Sequence, residues 1–185
     1  MNIKKLSFLL FLLFTISVYS QDKKIKLKSI SFALGGFQPY SGDNGNANFF
    51  VSLDFTFKSN NNLFTTSLNR GFDIGLYNFG KRYNLSIDVL YGREIKILNW
   101  LKLELHTGIG VFRGSYYKNE GRKWKIVENA NNNKNHITPL SIAFPSKFKL
   151  LFYLNKKSSL GINLSTNVNN ISNYIAYNLI YQKSL

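Results

Sequence analysis

The 185-residue chain has no cysteine. That absence excludes a disulfide framework, a thiolate metal site and a lipid-modified cysteine at an export cleavage site. Acidic residues are scarce as well: nine Asp and Glu stand against 24 Lys and Arg, for a formal net charge of +15. Such a balance can signal nucleic acid, but the lysines are scattered among turns, strands and loops and form no binding stripe, so no nucleic-acid partner is expected. Asn, Lys and Ile are abundant together throughout, a composition bias that raises the charge by itself. The two histidines, His106 and His136, stand at no metal-ligand spacing from other His, Asp or Glu, and no metal or other cofactor is expected. From Ile25 onward no apolar run approaches the roughly 20 residues of a spanning helix.

At the N-terminus, Lys4 and Lys5 precede an apolar run from Leu6 to Val18 that ends in Val-Tyr-Ser. Positive residues, a short apolar core and small residues at positions 18 and 20 predict a secretory signal peptide over 1–20, cut ahead of Gln21. The remainder, 21–185, suits one domain.

That domain is written in period two. In Tyr83–Phe112, Leu85, Ile87, Val89, Tyr91, Ile95 and Ile97 share one face of a strand, and Leu101, Leu103, Leu105, Thr107, Ile109 and Val111 share one face of the next. The same alternation marks strands at Ile30–Leu34, Phe49–Phe57, Phe64–Ile74, Leu140–Leu154, Leu160–Thr166 and Ile175–Tyr181, eight in all. Connections after strands two, four and six are short, at 59–62, 97–99 and 155–158. Those after strands one, three and five are longer, at 40–47, 75–82 and 114–136, while 167–172 is the shortest of its set. Short turns at one rim and long loops at the other predict an all-β fold, an eight-stranded antiparallel up-and-down transmembrane β-barrel with both termini at the short-turn rim.

Alternation alone also describes a soluble secreted barrel with its apolar face inward around an apolar ligand. The polar face argues for the transmembrane form, because Gly92, Gly108, Gly110, Gly161, Ser52, Ser86, Ser141, Ser165 and Ala143 suit a narrow lumen better than a solvated surface. Tyr83, Tyr91, Tyr177, Tyr181 and Trp100 suit the aromatic girdles at membrane interfaces. The lumen would then hold Asp54, Lys58, Asp88, Glu94, Lys102, Glu104, His106, Lys147 and Lys149, which must pair or hold water, and so predict a salt-bridged plug. Arg70 and Arg93 fall on the apolar face, at bulges or snorkelling to headgroups.

This pattern resembles the small outer-membrane β-barrel proteins of Gram-negative bacteria, the group of OmpX and the membrane domain of OmpA, over about Ile25 to Leu185. The last strand, NYIAYNLIYQKSL, looks like the C-terminal signal read by barrel-assembly machinery, with Tyr177, Leu179, Tyr181 and Leu185 in phase. The group usually ends on an aromatic residue, whereas this chain ends on Leu185 and carries Lys183 on the same face. The resemblance implies a cell outer-membrane location among outer-membrane lipids, and roles ranging from adhesion to lipid modification.

The expected role is structural or surface-binding, with a lipid-modifying enzyme as an alternative. The connection 114–136 concentrates Lys118, Arg122, Lys123, Trp124 and Lys125, outside any strand, and could bind an acidic glycan or lipopolysaccharide phosphates by charge and stacking. A lipid-modifying enzyme would need a His, a Ser and a carboxylate together. With a turn centred on Leu98, Glu94 would face Lys102, Leu90 would face His106, and Asp88 with Ser86 would lie diagonal to His106.

Overall fold

The computed structural model describes residues 25–40, 47–74, 83–114, 116–120, 123–127 and 140–185, with only the backbone course given for 47, 73–74, 83, 116–120 and 123–127. Ten strands follow one another: β1 Lys26–Pro39, β2 Ala47–Ser59, β3 Asn62–Ile74, β4 Tyr83–Leu98, β5 Leu101–Gly114, β6 Tyr116–Glu120, β7 Lys123–Val127, β8 Leu140–Tyr153, β9 Ser158–Asn169 and β10 Tyr174–Ser184. Eight of them close into a barrel in the order β1-β10-β9-β8-β5-β4-β3-β2, every pair antiparallel, while β6 and β7 form a separate hairpin. Closure between β1 and β10 runs from Ser29↔Ser184 to Pro39↔Tyr174 and leaves no open edge. The signal-peptide reading of 1–20 lies outside the described residues.

The faces divide as period two dictates. Ile87, Val89, Ile109, Val111, Ile142, Phe144 and Leu179 point outward, each more than half exposed. Ser31, Ser52, Asp54, Thr56, Ser67, Asn69, Lys147 and Lys149 point inward and are buried. A soluble barrel around an apolar ligand needs the reverse arrangement, so that alternative is excluded: its ligand would meet ammonium and carboxylate groups, and a continuous apolar belt would meet water. Wrapped in hydrocarbon the same arrangement is favourable, and closure supplies the backbone partners that lipid cannot.

At the short-turn rim, Asn60 and Asn61 join β2 to β3, with Asn60 at φ 56°, a left-handed conformation that asparagine tolerates. Asn99 and Trp100 join β4 to β5, and Trp100 stacks on Phe152 with centroids 6.0 Å apart and planes at 18°. Between β8 and β9, the amides of Leu154 and Asn155 donate to Ser158 O at 2.9 and 3.3 Å. At the opposite rim the β9–β10 turn is tied by Asn169, whose Oδ1 accepts from the amides of Ile171 and Ser172, both at 2.8 Å.

Two irregularities matter for the lumen. The β1–β2 register shifts between Leu27 and Ser29, making Lys28 the extra residue of a bulge, and β4–β5 shifts between Lys96 and Leu98. Arg70 and Arg93 lie in unbroken register, opposite Val51 and Leu85 and opposite Asn62 and Leu105. Both point outward without a bulge, so the bulge reading does not hold for either. Pro145 sits mid-strand in β8, and pairing with β5 lapses between Thr107↔Ser146 and Gly110↔Ala143, because proline has no N–H to donate.

Candidate functional site

The inward face stacks three layers along the barrel axis. Nearest the short-turn rim, Glu94 and Glu104 are shared among three lysines. Lys28 contacts Glu94 and lies 2.5 Å from Glu104 Oε1. Lys58 and Lys102 lie 3.0 and 3.1 Å from Glu94. Glu104 is fully buried, accepts from Gln182 Nε2 at 3.3 Å and stands 3.4 Å from His106 Nε2. Lys102 also sits over the Tyr153 ring, 4.7 Å from its centroid.

The middle layer is centred on Asp54. Its two carboxylate oxygens face different cations, Lys147 at 2.7 Å on Oδ1 and Lys149 at 2.7 Å on Oδ2. Ser67 donates to Asp54 at 2.5 Å, and Lys147 donates to Ser52 at 2.8 Å and to Asn69 Oδ1 at 3.1 Å. From Asn69 the chain of bonds continues to Asp88, through Nδ2 at 2.6 Å, and Ser86 adds a donor at 3.2 Å. Two cations on one carboxylate, framed by neutral donors and acceptors, allow charge to stay inside a narrow wall of strands.

Toward the long-loop rim the lumen changes character. Phe37, Phe50, Phe112 and Tyr174 pack with Ala143 and Ala176, with ring centroids 5.6 to 6.3 Å apart. Inward aromatics here fill the space that small residues leave elsewhere. The β9–β10 wall between cap and plug carries Asn163, Ser165, Asn167 and Asn178, which have polar atoms without a protein partner among the described residues and are suited to bind water.

The structure thus brings together Asp54, Asp88, Lys147 and Lys149, and separately Lys58, Glu94, Lys102, Glu104 and His106. It adds Lys28, whose sequence parity with Ile30 and Phe32 puts it on the outward face; the bulge turns it into the lumen. The β4–β5 register is two residues from the one expected, since Glu94 faces Glu104 and Gly92 faces His106. Asp88, paired with Gly110, is therefore four residues along β4 from Gly92, about 13 Å of strand. His106 meets Glu104 and Thr65 instead, so the Ser86–Asp88–His106 relay is not assembled. Among the described residues no three His, Asp or Glu are grouped to hold a metal.

The basic loop residues are placed differently from the expectation that they lie outside strands. Lys118 is in β6, opposite Lys125 in β7, and Lys123 and Trp124 are also in β7, opposite Glu120 and Asn119. Short strands form because a long connection can pair with itself once it leaves the wall. Arg122 and His136 lie outside the described residues.

A closed eight-stranded wall, apolar outside and charged within, now meets its relatives in shape. The structure superposes on that of Neisserial surface protein A with a TM-score of 0.66 at 10% identity, covering 88% of this chain and 100% of that one. This is the fold of the small outer-membrane β-barrels. Ail, the attachment invasion locus protein of Yersinia pestis, matches at 0.52 with 11% identity over 88% of this chain and 99% of its own. The outer membrane enzyme PagL matches at 0.50 with 14% identity over 85% and 99%. No family model and no curated protein matches the sequence. One barrel shape serving a surface protein and an enzyme carries no role by itself.

Proposed function

We propose that the chain, after removal of 1–20, is a barrel of the cell outer membrane with a structural or surface-binding role, its long-loop rim outward and its termini in the periplasm. The observation that carries this is the pairing of a predominantly apolar outer belt with an ion-paired lumen, an arrangement with no use in water. Folding into the membrane requires barrel-assembly machinery, which would read the β10 face of Tyr177, Leu179, Tyr181 and Leu185. The expected result is recovery with outer-membrane fractions and faster migration unboiled than boiled in mild SDS. Recovery in soluble periplasm without detergent contradicts the placement.

Binding falls to the connection 114–136, with Lys118, Arg122, Lys123, Trp124 and Lys125 as its contact residues and an acidic glycan or lipopolysaccharide phosphate as its ligand. Support comes from the hairpin register, which brings Lys118 opposite Lys125 on a pair of strands that form a sheet of their own. Retention on an immobilised acidic glycan should fall steeply with salt, because screening shortens to about 8 Å at physiological ionic strength. Replacing Arg122, Lys123 and Lys125 together by Gln should abolish retention and leave heat-modifiability intact. Equal, salt-insensitive retention of both forms removes the loop as the site.

A further inference from the structure

A slanted groove of about 580 Å³ crosses the outward face of the barrel. One wall is the cross-strand row Arg93, Leu105, Phe148 and Leu164, and the other is the next outward row, Tyr91, Thr107, Ser146, Thr166 and Ile175. The depression has a simple cause. Three successive positions of the second row carry small hydroxyl residues, where neighbouring outward rows carry Leu, Ile, Phe or Val. Thr107 and Ser146 pair their hydroxyls with each other at 3.2 Å, which lowers the cost of holding them against hydrocarbon.

The groove also has a direction. Strands of such barrels tilt by about 35–45°, so a row perpendicular to them climbs the wall. The Arg93 row starts beside Asn62, the first residue of β3 at the short-turn rim, and runs to Tyr177 within β10. From β4 to β10 it takes four inter-strand steps of about 4.8 Å, roughly 19 Å along the groove and about 11–13 Å of depth at that tilt. One leaflet of hydrocarbon is about 15 Å deep, half the core thickness. Arg93 is exposed at the low end, where its outward neighbours are Asn62, Leu105, Tyr91 and Ile95 and no carboxylate stands among them. Tyr91 already donates to Asn62 at 2.8 Å, which leaves the guanidinium to face the headgroup region.

From this geometry we propose that the groove binds one anionic phospholipid of the periplasmic leaflet, its phosphate on Arg93 and one acyl chain lying along Thr107, Ser146 and Thr166. The inference rests on the membrane placement proposed above. A cation at one end of an apolar channel of acyl-chain length matches a lipid of that charge and leaflet. A second copy of the chain would instead need an apolar ridge to fill the groove.

Native mass spectrometry of the folded barrel, released from micelles holding graded phosphatidylglycerol or phosphatidylcholine, tests this. The wild type should retain one phosphatidylglycerol in preference to phosphatidylcholine. Arg93→Gln should lower that retention at least about tenfold, the loss expected of one charge-assisted hydrogen bond, while Arg93→Lys should keep most of it. Ser146→Phe, which fills the groove and leaves Arg93 in place, should also abolish it, and Arg70→Gln, outward but away from the groove, should not. Retention unchanged in Arg93→Gln overturns the proposal, as does a lipid-free dimer that Ser146→Phe dissociates. Heat-modifiability of each variant separates these outcomes from a failure of membrane placement, which would show as a wild type that never folds into membranes.

Discussion

At the scale of single residues, the interior is governed by Asp54. It is buried with a lysine on each oxygen, so removing it strands two cations in a space that water reaches poorly. Breaking a buried pair from one side costs about 3–5 kcal/mol, whereas replacing a whole buried ion cluster by apolar groups of similar volume can be neutral or stabilising. Asp54→Ala should therefore lower the urea midpoint of barrel unfolding from lipid vesicles far more than Asp54→Leu combined with Lys147→Met and Lys149→Met. Equal losses from the single and triple variants would show that the cluster is solvated rather than sealed. Lys28 completes the lower cluster in the same way, bridging Glu94 and Glu104 from a bulge.

At the scale of elements, turn chemistry sets how hairpins close. Asn60 at φ 56° occupies a conformation that costs most L-residues about 1–2 kcal/mol, and a β-branched side chain is among the worst suited to it. Asn60→Val should destabilise the barrel by that amount, while Asn60→Gly should be neutral or better, as read from the same unfolding titration. Much of the element layout was legible in the sequence, because lipid on one side and a narrow lumen on the other force alternation at nearly every position. Asp54, Lys102, Glu104, His106, Lys147 and Lys149 could be assigned to the inner face on parity alone. Parity says nothing of register, since a slip of two residues preserves every face, and so the β4–β5 pairing expected around Leu98 lies two residues from the observed one. Nor does parity survive a bulge, which is why Lys28 reads as outward. The aromatic cap of Phe37, Phe50 and Tyr174 escaped notice for a different reason: these rings sit on a face where the alternating pattern favours small or polar residues.

At the scale of the whole molecule, the ion-paired network and the aromatic cap lie in series along the lumen, and the apolar belt of the described residues faces outward. This inversion of a water-soluble protein is plainest in β5. Leu105, Ile109 and Val111 are exposed there, while Lys102, Glu104, His106, Gly110 and Phe112 are buried. Because the chain has no cysteine, a single introduced cysteine at each position from 103 to 111 carries one spin label. The measurement is the accessibility of that label to oxygen, which partitions into lipid, and to a water-soluble nickel complex, with the barrel folded in bilayers. Oxygen accessibility should rise at 103, 105, 107, 109 and 111 and fall at 104, 106, 108 and 110, with nickel accessibility low throughout. Oxygen maxima at the even positions, or nickel accessibility at the odd ones, would contradict the inversion.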